Sequence, residues 1–133
     1  METVLFACTH NAGRSQMAAA FFNALADPQK AFALSAGTAP GTRVHPEVVS
    51  AMLEEGIDLS RNLPEKLSPL HKFRATMLIT MGCGESCPFI PETPTEDWPL
   101  EDPKGQPIER VREIRNEIRG RVEKLLALND WAK

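Results

Sequence analysis

Three cysteines, an Arg-Ser pair and a late Asp-Pro pair are the residues of this 133-residue chain best suited to chemistry. Cys8 closes the apolar run Val4-Leu5-Phe6-Ala7, and the small, polar stretch Thr9-His10-Asn11-Ala12-Gly13 leads to Arg14-Ser15, where a helical pattern begins. That order places a thiol at the end of a strand, facing the amino end of a helix. Helix amino ends and loops of inward-pointing N–H groups attract anions, and the same field favours thiolate over thiol. Gly13 permits close backbone approach and Asn11 tolerates a left-handed turn. The forked Arg14 guanidinium suits a tetrahedral oxyanion, and the Ser15 hydroxyl can donate a hydrogen bond to the Cys8 sulfur. The chemistry implied is nucleophilic attack by Cys8 on an oxyanion cradled by residues 9–15. A buried structural cysteine with a surface arginine is the plainer alternative, but such surroundings usually accompany reactive thiols.

Cys83 and Cys87 stand four residues apart in the glycine-containing stretch Gly82-Cys83-Gly84-Glu85-Ser86-Cys87-Pro88. An extended chain would hold them too far apart for a disulfide, whereas one helical turn would bring them within range, so they can bridge only if the loop coils. The competing use is a metal site formed with Cys8 or a histidine. With no second cysteine pair and no companion histidine spacing, no metal is expected. Asp102-Pro103 can be a turn, or it can place a carboxylic acid on a mobile loop where it protonates a departing oxygen. Both readings stay open at this stage.

The elements that must position these groups follow from hydrophobic periodicity. Met17, Ala18, Phe21, Phe22 and Leu25 recur at helical spacing until Asp27-Pro28 stops the helix. Ala31 to Ala36 reads as a second strand closed by Gly37. After a Pro/Gly/Thr loop, Pro46 suits a first helical position and Gly56 a stop, with His45 a surface or capping residue at the helix start in the simpler reading and a site residue in the other. A short helix is expected around Pro69 to Phe73, with His71 exposed or half-buried, and Ala75 to Met81 reads as a buried strand. From Gly82 to Pro107 periodicity disappears amid six prolines, apart from a brief fourth strand within Glu96–Leu100. Ile108, Val111, Ile114, Ile118, Val122, Leu125 and Leu126 then define a long amphipathic helix. Strands alternating with helices imply a parallel sheet with right-handed crossovers. Ligands of such sheets bind at the carboxyl ends of the strands, and Cys8 and Cys83 both follow strands, so they share one edge.

Composition sets the outer bounds. The length fits a single domain covering 1–133, and a net charge of −3 gives no support for a nucleic-acid partner. No apolar run approaches a membrane span, and Met1-Glu2-Thr3 followed by five apolar residues is not expected to act as a signal peptide. An odd number of cysteines fits a reducing cytoplasm better than a secreted disulfide scaffold. A monomer is expected.

Taken together, Cys8 through Ala18, Ser35-Ala36-Gly37, Thr80-Met81-Gly82-Cys83, Cys87-Pro88 and Asp97-Trp98 to Asp102-Pro103 resemble the arsenate reductases built on the low-molecular-weight tyrosine-phosphatase fold. The resemblance runs over essentially the whole chain. It implies a three-layer α/β/α architecture around a four-stranded parallel sheet. It also implies that Cys8 attacks arsenate held by Thr9, His10, Asn11, Ala12, Gly13, Arg14 and Ser15, and that Asp102 protonates the leaving hydroxyl. Cys83 would then attack Cys8 and release arsenite, and Cys87 would attack Cys83. The resulting Cys83–Cys87 disulfide would be reduced by an external thiol, with thioredoxin favoured over glutathione with glutaredoxin or over mycothiol. No bound cofactor is implied.

The chain also departs from its relatives. Phosphotyrosine phosphatases of this fold usually carry a second cysteine where this chain has Gly13, and tyrosines where it has Lys104-Gly105; it contains no tyrosine. Some thioredoxin-linked reductases bind potassium through a Glu at the position of Ala19, although Asn11 and Ser35 remain here. A phosphomonoesterase and a non-catalytic oxyanion or redox sensor are the rival readings.

Overall fold

The structure, a computed structural model, describes residues 1–83 and 87–133. Four strands form one parallel sheet in the order β2-β1-β3-β4: β1 (Glu2–Cys8), β2 (Ala31–Gly37), β3 (Met77–Thr80) and β4 (Thr95–Asp97). The helices are α1 (Arg14–Leu25), α2 (Pro46–Leu53), α3 (Pro69–Arg74) and α4 (Ile108–Asn129). The central strand β1 is buried from Thr3 to Cys8, which is why it reads as a continuous apolar run rather than an alternating one.

Alternation along β1 divides the core in two. Val4, Phe6 and Cys8 face the larger side, where α1, α2 and α4 pack and where Phe6 meets Phe22 and Trp98 at ring separations of 6.0 and 5.6 Å. Leu5 and Ala7 face a thinner layer with Ala36, Ala75, Leu78 and Ile90. Helix α1 is buried across most of its surface, because its alanines let it wedge between the sheet and α4. Helix α4 buries only the stripe through Val111, Ile114, Ile118, Val122, Leu125 and Leu126, as its periodicity requires.

Two strands are shorter than their apolar composition suggests. β3 begins at Met77 rather than Ala75, because Thr76 turns its N–H and hydroxyl to Thr3 instead of the ladder. β4 ends at Asp97, although Trp98 still donates its N–H to the Thr80 carbonyl at 2.8 Å. The parallel register pairs Cys8 with Gly37 and Ala7 with Thr80, and Met81 donates to the Ala7 carbonyl at 2.8 Å. The carboxyl ends of β1, β2 and β3 are therefore level, and Cys83 lies two residues beyond that line.

Candidate active site

Cys8 is 2% exposed, and its sulfur is a free thiol. Ser15 Oγ stands 2.8 Å from it, and the Asn11 N–H donates to it at 3.3 Å. The direction of the Ser15 bond follows from its surroundings. Glu65 presents a backbone N–H to Asn11 at 2.8 Å, so the atom receiving it must be the amide oxygen. The other end of that amide is then the NH₂ group, which donates to Ser15 Oγ at 2.7 Å. The one Ser15 hydrogen is left to donate to sulfur. Two donors thus converge on Cys8, and both stabilise negative charge there.

The loop bends this way because Asn11 adopts the left-handed conformation, with φ of 50°. Its outer side is clamped: the N–H groups of Thr38, Ala39, Gly41 and His45 bond the carbonyls of Cys8, Thr9, His10 and Ala12 at 2.8–3.2 Å. The amino end of α1 carries no side-chain cap and no acidic residue in its first turn, so its unpaired N–H groups remain available to an anion. Arg14 is 8% exposed, and its guanidinium is fixed by the Leu100 carbonyl at 3.0 Å and faced by Asp102 Oδ2 at 3.8 Å.

Asp102 makes the turn and also faces the cradle arginine. Its Oδ1 accepts the Lys104 N–H at 3.0 Å, a turn bond, while Oδ2 faces Arg14. The loop carrying it is tied to α2 and α4. Glu47 Oε1 accepts the Gly105 N–H at 3.0 Å, Glu101 pairs with Arg110, and Gln106 donates to Glu101 at 2.9 Å. Partial burial alone would raise the Glu47 carboxyl, but the backbone N–H groups of Gly105 and of Glu47 itself, with His45 and Arg43 nearby, together hold the group below its ordinary range.

His45, expected to cap α2 or lie on the surface, makes no side-chain cap bond. Its ring instead borders the loop: a Cβ added at Gly13 would approach His45 Cδ2 to 3.5 Å and Pro103 Cγ to 2.9 Å. Burial pushes the His45 imidazole below its ordinary value, against the opposing pull of Glu47 and Asp102. His71 is half-buried as expected, and closes a capping box with Ser68 at the head of α3.

Cys83 and Cys87 form a disulfide with their Cα atoms 4.9 Å apart; residues 84–86 lie outside the described residues. Cys83 is buried and Cys87 half-buried. Gly82, just before Cys83, has φ of +80° and packs its backbone against the Arg14 guanidinium. The disulfide loop thus begins at the wall of the cradle. Sequence reading missed the Leu100 carbonyl, the Glu65 N–H and the role of Gln16. Backbone groups leave no side-chain signal, and Gln16 stood in the motif without an evident partner.

The chain is similar in sequence and fold to known proteins. Residues 3–131 match the family model described as low molecular weight phosphotyrosine protein phosphatase. A Halobacterium salinarum protein, named provisionally as an arsenate reductase, is 40% identical over 88% of this chain and 85% of its own length. The glutaredoxin arsenate reductase of Synechocystis sp. is 35% identical over 96% of this chain and 98% of its own. Among solved structures, the thioredoxin-dependent arsenate reductase of Corynebacterium glutamicum superposes with a TM-score of 0.81 at 36% identity. The match covers 96% of this chain and spans only 61% of that longer one.

Proposed function

This chain belongs to the low-molecular-weight phosphotyrosine protein phosphatase family, and within that family we propose that it is an arsenate reductase. The observation that carries the reading is the Cys83–Cys87 disulfide, which starts one residue beyond the glycine that walls the Arg14 guanidinium. A hydrolase needs only the first thiolate; a second and third thiol beside it serve electron transfer.

Cys8 thiolate attacks arsenic in arsenate held by the loop N–H groups and Arg14, and a hydroxyl leaves as water with a proton from Asp102. Cys83 thiolate then attacks the Cys8 sulfur, and the electron pair of the sulfur–arsenic bond stays on arsenic. Arsenite departs, reduced by two electrons, and a Cys8–Cys83 disulfide remains. Cys87 attacks Cys83 and returns Cys8 as thiolate, which Ser15 and the Asn11 N–H stabilise. The bond present in the structure is the product of that last step.

An external thiol donor closes the cycle in the cytoplasm. Thioredoxin is favoured, since the Corynebacterium glutamicum relative is named as thioredoxin-dependent; the Synechocystis relative is named for glutaredoxin. Three parallel NADPH-coupled assays, with thioredoxin, glutathione plus glutaredoxin, and mycothiol, identify the donor. Arsenate-dependent NADPH oxidation with one donor, abolished in Cys8→Ser, Cys83→Ser and Cys87→Ser, is the expected result. Efficient para-nitrophenyl phosphate cleavage with no arsenate reduction would assign the site to a phosphatase. Tight anion binding without turnover in either assay would assign it to a sensor.

A further inference from the structure

Asn11 shapes the loop around Cys8, so whatever holds the Asn11 side chain sets the geometry of attack. Its Oδ1 receives two donors: the Glu65 N–H at 2.8 Å and Gln16 Nε2 at 3.1 Å. The identity of the second is fixed by the first, because an oxygen that accepts a backbone N–H must be faced by a donor. Gln16 is held in that orientation from behind. Its Oε1 accepts Asn62 Nδ2 at 3.3 Å, and its NH₂ group also reaches the Leu63 carbonyl at 3.4 Å. Asn11 is fully buried and Gln16 is 5% exposed, so these bonds form in a poorly solvated setting where each is strengthened.

The resemblance implies potassium beside this loop in some relatives, and the residues here do not fit a cation. An amide NH₂ group points at the Asn11 oxygen that a cation would use. Position 19, where the resemblance puts a carboxylate in such relatives, is an alanine with no side-chain ligand atom. Cations bind oxygen lone pairs and are repelled by N–H donors. We propose that Gln16 is the positioning residue for Cys8 in this chain. It is braced by Asn62 and holds the Asn11 oxygen through a hydrogen bond, so the site works without a monovalent cation. The proposal concerns the thiolate loop alone and holds for reduction or hydrolysis.

The test uses readouts that do not require arsenate turnover. The rate of Cys8 alkylation by iodoacetamide, protection by inorganic phosphate and thiolate absorbance at 240 nm are measured on the reduced full chain carrying Cys83→Ser and Cys87→Ser. Gln16→Met, close in shape but without the donor, is expected to slow alkylation and weaken phosphate protection about five- to tenfold, the scale of one buried hydrogen bond. Its thermal unfolding should remain cooperative. Asn62→Ala should change both readouts in the same direction and by less. In the otherwise unsubstituted enzyme, replacing potassium by tetramethylammonium at constant ionic strength should leave kcat and KM within a factor of about two. Alkylation unchanged in Gln16→Met would overturn the proposal. So would a several-fold rise in alkylation or kcat on adding potassium to the unsubstituted protein. Failure of arsenate reduction with these alkylation results intact would strike the functional reading and leave the role of Gln16 standing.

Discussion

Gly82 is the back wall of the Arg14 guanidinium. With φ of +80° it occupies a conformation that side-chain-bearing residues rarely adopt, and a Cβ there would fall 3.1 Å from Arg14 Cζ and onto its Nη1. Arg14 and the start of the disulfide loop are thus in contact through one residue without a side chain.

Gly82→Ala should therefore damage binding more than folding. The left-handed backbone costs about 1–2 kcal/mol for alanine, and Arg14 must leave its bond to the Leu100 carbonyl. Phosphate affinity, read by isothermal titration calorimetry, should fall at least about tenfold, the scale of losing a charge-assisted contact. Thermal unfolding should drop by a few degrees and stay cooperative.

Asp102→Asn separates the proton-donor role from the turn. An amide can still accept the Lys104 N–H, so the turn survives, but it cannot protonate a leaving oxygen. The expected outcome is a fall in kcat of about 10²- to 10⁴-fold with KM little changed. Steady-state kinetics against arsenate concentration measure this. A rise in KM with kcat intact would instead make Asp102 a partner for Arg14 alone.

Acid stability should carry the signature of Glu54, at the carboxyl end of α2. Arg112 binds it through both oxygens and Arg115 at 2.6 Å, and these guanidinium bonds depress its carboxyl from the ordinary 4.5 to about 2. A group depressed on folding stabilises the fold above its unfolded value and loses that contribution as pH falls through the folded one. Melting temperatures of the unsubstituted protein and Glu54→Gln should differ at pH 7, converge below about 4.5 and coincide near 2. A constant difference across that range would remove Glu54 as a charged tie between α2 and α4.

Much of this site was legible from residue types alone. Cys8, Arg14 and Ser15 are recognisable because a strand end, a small-residue loop and a helix start must follow one another in sequence to build such a cradle. Asn11 was expected to tolerate a left-handed turn and takes one. The parts that escaped are those made by chain segments distant in sequence. The Leu100 carbonyl and the Glu65 N–H belong to backbones that any residue could supply. His45 faces the loop because α2 happens to start beside Gly13, a placement no local pattern encodes. The Asp102 loop looked mobile because it lacks periodicity, yet Glu47 and Arg110 pin it from two helices. Irregular sequence predicts irregular backbone, and tertiary bonds decide whether that backbone is loose.

The central claim is that electrons pass from Cys8 through Cys83 to Cys87, and one single-turnover experiment tests it directly. Fully reduced protein receives excess arsenate with no external reductant; arsenite is quantified, and the disulfides are mapped by mass spectrometry after acid quench. The account predicts about one arsenite per chain and a Cys83–Cys87 disulfide in the unsubstituted protein. In Cys87→Ser the same yield should end in a trapped Cys8–Cys83 disulfide. Arsenite formed by Cys83→Ser at the same yield, or a Cys87→Ser protein whose Cys8 and Cys83 stay reduced after releasing arsenite, would contradict it.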